Sequence, residues 1–472
     1  MEINAPLNHP DRLLPIEPDL RSIARGLYDS ISDLPIISPH GHTDARWFAE
    51  DTPFDNPAAL LIQPDHYVFR MLYSQGVSLD ELGIADHAGN TVEVDPRDVW
   101  RRFAGNYHLF RGTPSRMWLD HVFGEVFGLT TPLSADTADF YYQAIETKLQ
   151  TPEFRPRALF ERFNIEVIAT TESPLDSLRH HKAIADSDWS GRVITTFRPD
   201  PVVDPEFEGF PDNLYQLGEL TGQDIESYAG YIEALRLSRQ DFIAHGATAS
   251  DHGHPNARTA VLAEQDADAL FQRVRQAPTP EDADLFRAHM LTQMAAMSLD
   301  DGLVMQIHPG SYRNHNQTLF SRYGRDKGAD IPTQTSYVEA LRPLLNAYGN
   351  STDFNLIVFT LDETAYSREL APLAGHYPSL KLGPAWWFHD SPEGMRRFRE
   401  QTTETAGFYN TVGFNDDTRA FLSIPARHDM ARRIDCGFLA RLVADHRLRE
   451  AEAHELASEL ACGLARSAYR LQ

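Results

Sequence analysis

Apolar and polar positions along the chain predict a series of short strands separated by helices. Runs rich in β-branched residues and ended by turn or polar residues are typical of buried strands. Longer stretches with apolar residues at helical spacing lie between most of these runs, as at 284–300 and 337–348. The predicted strands occupy residues 34–38, 165–171, 193–197, 247–250, 303–307, 356–360, 380–383 and 409–414.

The order of these elements favours an α/β fold of the (β/α)₈ TIM-barrel type. Strands that alternate with helices indicate parallel βαβ units, and eight such units are the number that closes a barrel. The chain of 472 residues is long enough for one barrel of about 250 residues with large insertions. We therefore expect a single barrel over residues 1–472, with a doubly wound open sheet as the alternative.

The interval between the first two strands predicts a large insertion. It is too long for an ordinary βα loop, and residues 100–110, 116–127 and 137–149 have helical patterns. We expect residues 45–158 to form a helical insertion that covers the barrel mouth. Residues 199–244 and the segment from 426 onward are also expected to be largely helical.

Composition narrows the classes of partner. The formal net charge of −25 disfavours nucleic acid and anionic membranes as partners. No uninterrupted apolar stretch approaches the roughly 20 residues of a membrane span. A small anionic substrate is compatible with this charge only if arginine or lysine side chains cluster around it.

Cellular location and assembly follow from weaker signals. Cys436 and Cys462 are widely separated, which is more typical of a reduced cytoplasmic protein than of a disulfide framework. Residues 1–8 have neither the basic nor the apolar region of a signal peptide. We expect a cytoplasmic protein, and its helical C-terminal segment suggests a homo-oligomer.

The first candidate site lies at the end of the first strand. His40 and His42 are two residues apart, so both imidazoles can leave the same side of the backbone and converge on one cation. A pair of ordinary surface or rim histidines is the alternative. The position at the catalytic end of a barrel strand favours the metal site.

Asp417 and Arg419 repeat this spacing at the end of the last strand. The first and eighth strands of a closed barrel are neighbours, so Asp417 can be a third metal ligand and also a proton acceptor. Asp416 competes for the same role, because spacing does not distinguish the two. In the other alternative, Asp417 only caps the following helix.

Further polar residues follow other predicted strands. Arg198, Arg313 and Arg419 come from three different strand ends, and guanidinium groups bind a carboxylate with two parallel hydrogen bonds.

His308 follows the fifth strand, and His252 with His254 follows the fourth, where a second metal site or a loop without ligands is possible. Trp386 follows the seventh strand, where core packing is more common than stacking on a sugar.

Read together, several segments resemble the uronate isomerase (glucuronate isomerase) family of the amidohydrolase superfamily. The resemblance runs over nearly the whole chain, and several motifs in one order are far more specific than a histidine pair. The motifs are residues 39–42, 64–70, 109–114, 197–200, 250–253, 305–310, 385–390 and 417–423.

The resemblance implies an intramolecular oxidoreductase that converts D-glucuronate to D-fructuronate and D-galacturonate to D-tagaturonate. It implies a divalent metal held by His40, His42 and Asp417. We expect Zn²⁺, with Mn²⁺, Fe²⁺ and Co²⁺ as alternatives.

The same resemblance places several side chains in the substrate site. These are His66, Tyr67, Arg198, Arg313, Trp386 and Arg419.

Isomerisation through a cis-enediol requires a base that moves a proton between C2 and C1. Asp417 is the first choice for this base, with His252 or His308 as the second choice and Tyr67 as a hydrogen-bonding group. The main alternative is a metal-dependent hydrolase of the same superfamily, in which Asp417 activates water. A barrel without catalytic activity, used for binding, is the third hypothesis.

Overall fold

Runs of aliphatic and β-branched residues form the strands of a parallel barrel in the computed structural model, which describes residues 7–471. In chain order the strands are β1 (Ile36–Ser38), β2 (Ile165–Glu172), β3 (Arg192–Phe197), β4 (Ala249–His252), β5 (Val304–Ile307), β6 (Ser311–Tyr312), β7 (Ile331–Pro332), β8 (Leu356–Val358) and β9 (Leu380–Leu382).

The main sheet has the order β1-β2-β3-β4-β5-β8-β9, and every neighbouring pair is parallel. Sheet order therefore follows chain order, as successive βαβ units require. Strands β6 and β7 form a separate antiparallel hairpin that was not expected from the sequence. The predicted (β/α)₈ fold class is confirmed.

The last barrel segment is less regular than predicted. Within 409–414, Thr411 forms one isolated parallel bridge with Leu382 instead of a full strand. Gly413 has a φ of 77°, which interrupts the extended backbone. The ring is joined at its catalytic end by a hydrogen bond of 3.0 Å from the His42 amide to the Thr418 carbonyl.

The fourth strand begins two residues later than predicted, at Ala249, because Gly246 turns the chain after the preceding helix with a φ of 90°. Ala249 packs in the barrel interior with Ile194 and Val304. Because side chains alternate along a strand, Asp251 shares the inward face of Ala249, whereas His252 belongs to the opposite face.

Helices flank the barrel and fill the long connections. They comprise Pro18–Asp29, Ala45–Glu50, Pro57–Leu61, His66–Tyr73, Pro96–Gly105, Pro114–His121, Ala138–Leu149, Pro156–Arg162, Arg179–Ala185, Asp200–Val203, Phe210–Thr221, Tyr228–Ala244, Glu264–Gln276, Pro280–Asp301, Gln317–Tyr323, Val338–Tyr348, Ala371–Ala374, Pro392–Ala406, Ile424–Ala444, Glu450–Ser458 and Leu464–Ala468. No helix within residues 7–471 is both long and apolar enough to cross a membrane.

The helices between β1 and β2 have a hydrophobic core of their own. Trp100, Phe103 and Phe123 are fully buried there, and the cluster continues onto Ile165 of β2. The Trp100 indole donates a hydrogen bond of 3.0 Å to the Ala138 carbonyl. This core fixes the helices that reach toward the barrel.

The C-terminal helix Ile424–Ala444 holds the start of β1 in place. Its buried Arg432 donates hydrogen bonds of 2.8–3.0 Å to the carbonyls of Ser32, Leu34 and Pro35. A guanidinium that satisfies three carbonyls keeps these backbone groups from being buried without partners. The first strand, and with it the histidine pair, is thereby attached to this helix near the end of the chain.

Residues 1–6, part of the segment 1–8 in which no signal peptide is expected, lie outside the described residues.

Replacing Trp100 with alanine is expected to lower the free energy of unfolding by about 3–5 kcal/mol, because it leaves a large cavity in a dry core. The control is Phe140→Ala, since Phe140 belongs to the same region but is 57% exposed. The control is expected to change the free energy by less than about 0.5 kcal/mol. Urea denaturation followed by fluorescence and circular dichroism measures both; equal effects would contradict the assigned core.

Candidate active site

A cavity of about 770 Å³ opens at the C-terminal ends of the barrel strands. It is lined by nearly all of the side chains singled out from the sequence: His40, His42, His66, Tyr67, Arg198, His308, Arg313, Trp386, Asp417 and Arg419. These come from five barrel strand ends, the hairpin region and the helix His66–Tyr73. His252 is not among the lining residues, because it points away from the barrel axis.

The histidine pair and Asp417 form one compact cluster. Asp417 Oδ1 lies 3.1 Å from His42 Nε2 and 3.5 Å from His40 Nε2. One ligand atom from each residue lies within 4.8 Å of the others, and within residues 7–471 this is the one group of three or more His, Cys, Asp or Glu side chains with that property. Two imidazoles and one carboxylate match the donor set of a catalytic metal site that keeps a position open.

The protonation states in this cluster suit a cation. Burial lowers the pKa of His42, so its imidazole is neutral and has a lone pair to offer. Burial opposes the ionisation of Asp417, but contacts with His42, His40 and Trp386 outweigh it and hold the pKa of that carboxyl well below its ordinary value. Asp417 Oδ1 is buried and lacks a hydrogen-bond partner among the described residues, as expected of an oxygen that a cation would satisfy.

Asp417, and not Asp416, faces the histidine pair. Asp416 is buried beneath the cavity, where its Oδ2 lies 3.0 Å from His428 Nε2. Asp417 has a φ of 39°, and this left-handed turn directs its side chain toward the strand-one end. The cap of the following turn is Thr418, whose hydroxyl accepts a hydrogen bond of 2.9 Å from the Ala420 amide.

Trp386 contacts the cluster through its indole nitrogen. Its Nε1 donates a hydrogen bond to Asp417 Oδ2, leaving Oδ1 on the side of the two histidines. The indole also packs edge-on against His308, with ring centroids 5.2 Å apart. Trp386 is 5% exposed, so little of its ring face is open for stacking on a sugar. Its contacts favour a role in orienting Asp417.

Arg198 is clamped between two acidic side chains. Its Nε lies 3.0 Å from Asp200 Oδ2, and one terminal nitrogen lies 3.5 Å from Asp251 Oδ2. The Gly253 amide donates a hydrogen bond of 3.1 Å to the other carboxylate oxygen of Asp200. A side-chain carbon at Gly253 would lie 2.7 Å from the Arg198 guanidinium and 2.8 Å from the His308 ring, so glycine lets both groups pack closely against the backbone here.

Arg313 and Arg419 line the same cavity. Arg313 pairs with Asp330 at 2.7 Å, and Arg419 pairs with Asp326 at 3.3 Å. The structure therefore brings together the three arginines predicted from separate strand ends, each with an acidic partner. Arg325 also lines the cavity, and its guanidinium stacks on a phenylalanine ring at 3.9 Å.

Asp251 is a site residue that the sequence motif contained but did not single out. Its Oδ2 lies 3.0 Å from His308 Nε2, 3.5 Å from Arg198 and 4.0 Å from His40 Nε2. It is 1% exposed and contacts these three cavity side chains from beneath the cavity. Strand alternation with the correct register would have identified it as the inward neighbour of Ala249.

His252 and His254 do not form a second metal cluster with each other. His252 Nε2 lies 3.1 Å from Ser250 Oγ outside the cavity lining, and the two rings are 6.1 Å apart. Burial lowers the pKa of His252 to about 3. Of the two second-choice bases, His308 is therefore the one that lines the cavity.

His66 and Tyr67 start the helix that reaches the cavity from the region between β1 and β2. Asp65 caps this helix by accepting a hydrogen bond of 2.8 Å from the Tyr67 amide. Burial lowers the pKa of His66 to about 3 and raises that of Tyr67 well above its ordinary value. Both side chains are thus neutral, and Tyr67 can donate its phenolic hydrogen.

Comparison with known proteins agrees with this geometry. The profile of the family described as glucuronate isomerase matches residues 20–466. A uronate isomerase of Phenylobacterium zucineum is 68% identical over 464 residues, which cover 98% of this chain and 96% of that protein.

Solved structures give the same result. A glucuronate isomerase of Caulobacter crescentus superimposes with a TM-score of 0.98 and 62% identity, covering 99% of this chain and 98% of that one. A uronate isomerase of Thermotoga maritima has a TM-score of 0.91 and 27% identity, covering 98% and 99%. With a profile and close relatives that match almost end to end, the chain belongs to the glucuronate isomerase family.

Proposed function

We propose that this chain interconverts hexuronates as aldose and ketose, D-glucuronate with D-fructuronate and D-galacturonate with D-tagaturonate. The proposal rests on one observation: a single cavity combines the His40, His42 and Asp417 cluster with the arginines Arg198 and Arg419. A sugar acid needs both features, because its carbonyl must be polarised and its carboxylate must be bound.

The reaction is a proton transfer between adjacent carbons. A base removes the C2 proton of the open-chain aldose, the hydroxyl proton moves from O2 to O1 by way of an enediol, and the base returns its proton to C1. Asp417 is our choice of base, since its carboxylate lines the cavity and Trp386 fixes its orientation. His308 is the second choice, because it also lines the cavity.

The other side chains bind and orient the sugar. Arg198 and Arg419 donate hydrogen bonds to its anionic oxygens, and Tyr67 with His66 contacts it from the cavity wall. Arg313 completes the binding surface that we propose, and Trp386 borders it while orienting Asp417. Holding both ends of the chain converts binding energy into orientation of C1 and C2 toward the base.

His40, His42 and Asp417 would hold the divalent metal, and nitrogen ligands with one carboxylate suit Zn²⁺. Mn²⁺, Fe²⁺ and Co²⁺ accept the same donors. When bound, such an ion supplies positive charge that polarises a carbonyl or stabilises an enediolate.

We also propose that residues 1–472 form one barrel unit in which segment 45–158 lies over the mouth. The presence of His66 and Tyr67 in the cavity lining supports this. A cytoplasmic location is supported by the free, buried thiols of Cys436 and Cys462. Exposed apolar side chains such as Tyr215 and Leu220 support a homo-oligomer.

Incubation of the purified protein with D-glucuronate or D-galacturonate and Zn²⁺ is expected to yield the corresponding ketose without consumption of water. Proton NMR follows the loss of the anomeric signals, and mass spectrometry shows that the mass is unchanged. Turnover of neither hexuronate, together with hydrolysis of a lactone or amide panel, would contradict isomerisation and favour the hydrolase hypothesis.

Metal content tests the ligand cluster. The protein is expected to bind about one divalent ion per chain, and His42→Ala is expected to lower occupancy at least tenfold, because it removes one of three ligands. His308→Asn is the matched control, since His308 is a buried histidine of the same cavity outside the cluster. Plasma mass spectrometry after dialysis measures both; equal occupancy in the two variants would exclude the assigned ligands.

Substitution of the base is expected to affect turnover more than binding. Asp417→Asn should lower kcat by about 10²–10⁴, the range of general acid–base catalysis, while His308→Asn should have a smaller effect. Metal content is measured for each variant, and rates are compared at saturating Zn²⁺ so that lost occupancy is not mistaken for lost proton transfer. A larger loss in His308→Asn would reassign the base.

A further inference from the structure

The arginines of the cavity differ in how firmly their acidic partners are held. The side chains of Asp200 and Asp251, the partners of Arg198, are only 12% and 1% exposed, and that of Asp330, the partner of Arg313, is 7% exposed. The Asp326 side chain, which pairs with Arg419, is 53% exposed. Of these four acids, Asp326 is the one that can leave its arginine without moving the core.

Two acids four residues apart show the contrast. Asp330 accepts 2.7 Å hydrogen bonds from the Asn314 amide and from Arg313, so both of its oxygens are fixed. For Asp326, the ion pair with Arg419 at 3.3 Å is the one direct ionic or hydrogen-bond contact within residues 7–471, and the more distant Arg313 and Arg198 also attract its charge. Asp330 is built into the structure, whereas Asp326 depends on one exposed ion pair.

The backbone around Asp326 has an unusual conformation. Asp326 has a φ of 59°, a left-handed conformation that is uncommon for a residue with a side chain. Gly324 and Gly328, on either side, have φ values of 75° and 71°. The helix Gln317–Tyr323 precedes this segment and the fixed Asp330 follows it, so a rotation of the Asp326 side chain away from Arg419 changes neither.

We propose that Asp326 is a built-in competitor of the substrate: it neutralises Arg419 in the free enzyme and is displaced when an anionic sugar binds. This inference rests on the proposed function and adds a residue that determines specificity. A hexuronate replaces one negative charge at Arg419 by another. A neutral aldose brings no charge to make the exchange, so Asp326 remains at Arg419 and the sugar is disfavoured.

The test is Asp326→Asn, an isosteric change that removes the charge and suits a left-handed backbone. The KM for D-glucuronate is expected to fall about two- to fivefold, the range expected from losing one exposed ion pair, with kcat within twofold of the unsubstituted protein. The dissociation constant of L-gulonate, in which the aldehyde of D-glucuronate is reduced and the carboxylate stays at the same end of the chain, should fall by the same factor in calorimetry. Inhibition by D-sorbitol, the same carbon chain without a carboxylate, should be unchanged.

Glu206→Gln is the matched control for the loss of one negative charge. Glu206 lines the same cavity and its side chain is also 53% exposed, but it pairs with Arg287 instead of Arg419. Measured at 0.15 M salt, where charges further apart than about 8 Å are screened, this variant is expected to leave the KM within 1.5-fold. An equal fall in both variants would mean a general effect of charge and would overturn the proposal.

The other outcomes are equally decisive. A higher KM or a lower kcat in Asp326→Asn would mean that Asp326 positions Arg419 for the substrate, which overturns displacement. An unchanged KM for D-glucuronate and an unchanged dissociation constant for L-gulonate would overturn it as well. If the unsubstituted protein turns over no hexuronate, the proposed function itself fails, so the two failures are distinguishable.

Discussion

The site depends on the hydrogen bond that joins the two ends of the barrel, from the His42 amide to the Thr418 carbonyl. The last barrel segment pairs with its other neighbour through a single bridge at Thr411, so a regular ladder does not fix its position. The bond next to the cluster sets the separation between the histidine pair and Asp417. Gly41 lies at this contact, where a side-chain carbon would be 3.5 Å from the Thr418 carbonyl.

The same closure explains why the two adjacent aspartates differ. Asp416 points below the sheet to His428, and the Arg427 guanidinium contacts its carbonyl from the same side. The left-handed backbone of Asp417 then sends the next side chain into the cavity, where Trp386 and the two histidines receive it. One acid supports the turn, and its neighbour faces the histidine pair in the cavity.

The sequence was sufficient to predict what depends on local pattern. Strand runs, their polar C-terminal neighbours and the histidine spacing predicted the barrel and most of the strand-end side chains that meet in the cavity. It was insufficient where register or tertiary packing decides. The predicted start of β4 was two residues too early. The prediction therefore missed Asp251 and favoured His252, which lies on the other face of the strand. The choice between Asp416 and Asp417 depends on one φ angle that spacing cannot reveal, and Asp326 lies on a connection without a periodic pattern.

The charge of the cavity adds a reason for the metal beyond its effect on a carbonyl. Acidic side chains outnumber the arginines in the lining, and the arginines Arg198, Arg313 and Arg419 are each paired with an acid. A hexuronate that entered such a cavity would add a further negative charge at low dielectric, where repulsion is strong. A divalent cation at His40, His42 and Asp417 would offset this excess. In the proposed exchange, the substrate carboxylate replaces Asp326 at Arg419, so the net charge beside that arginine stays constant. Both features point to the same requirement, that an acidic protein can bind an acidic sugar only where local charge is balanced in advance.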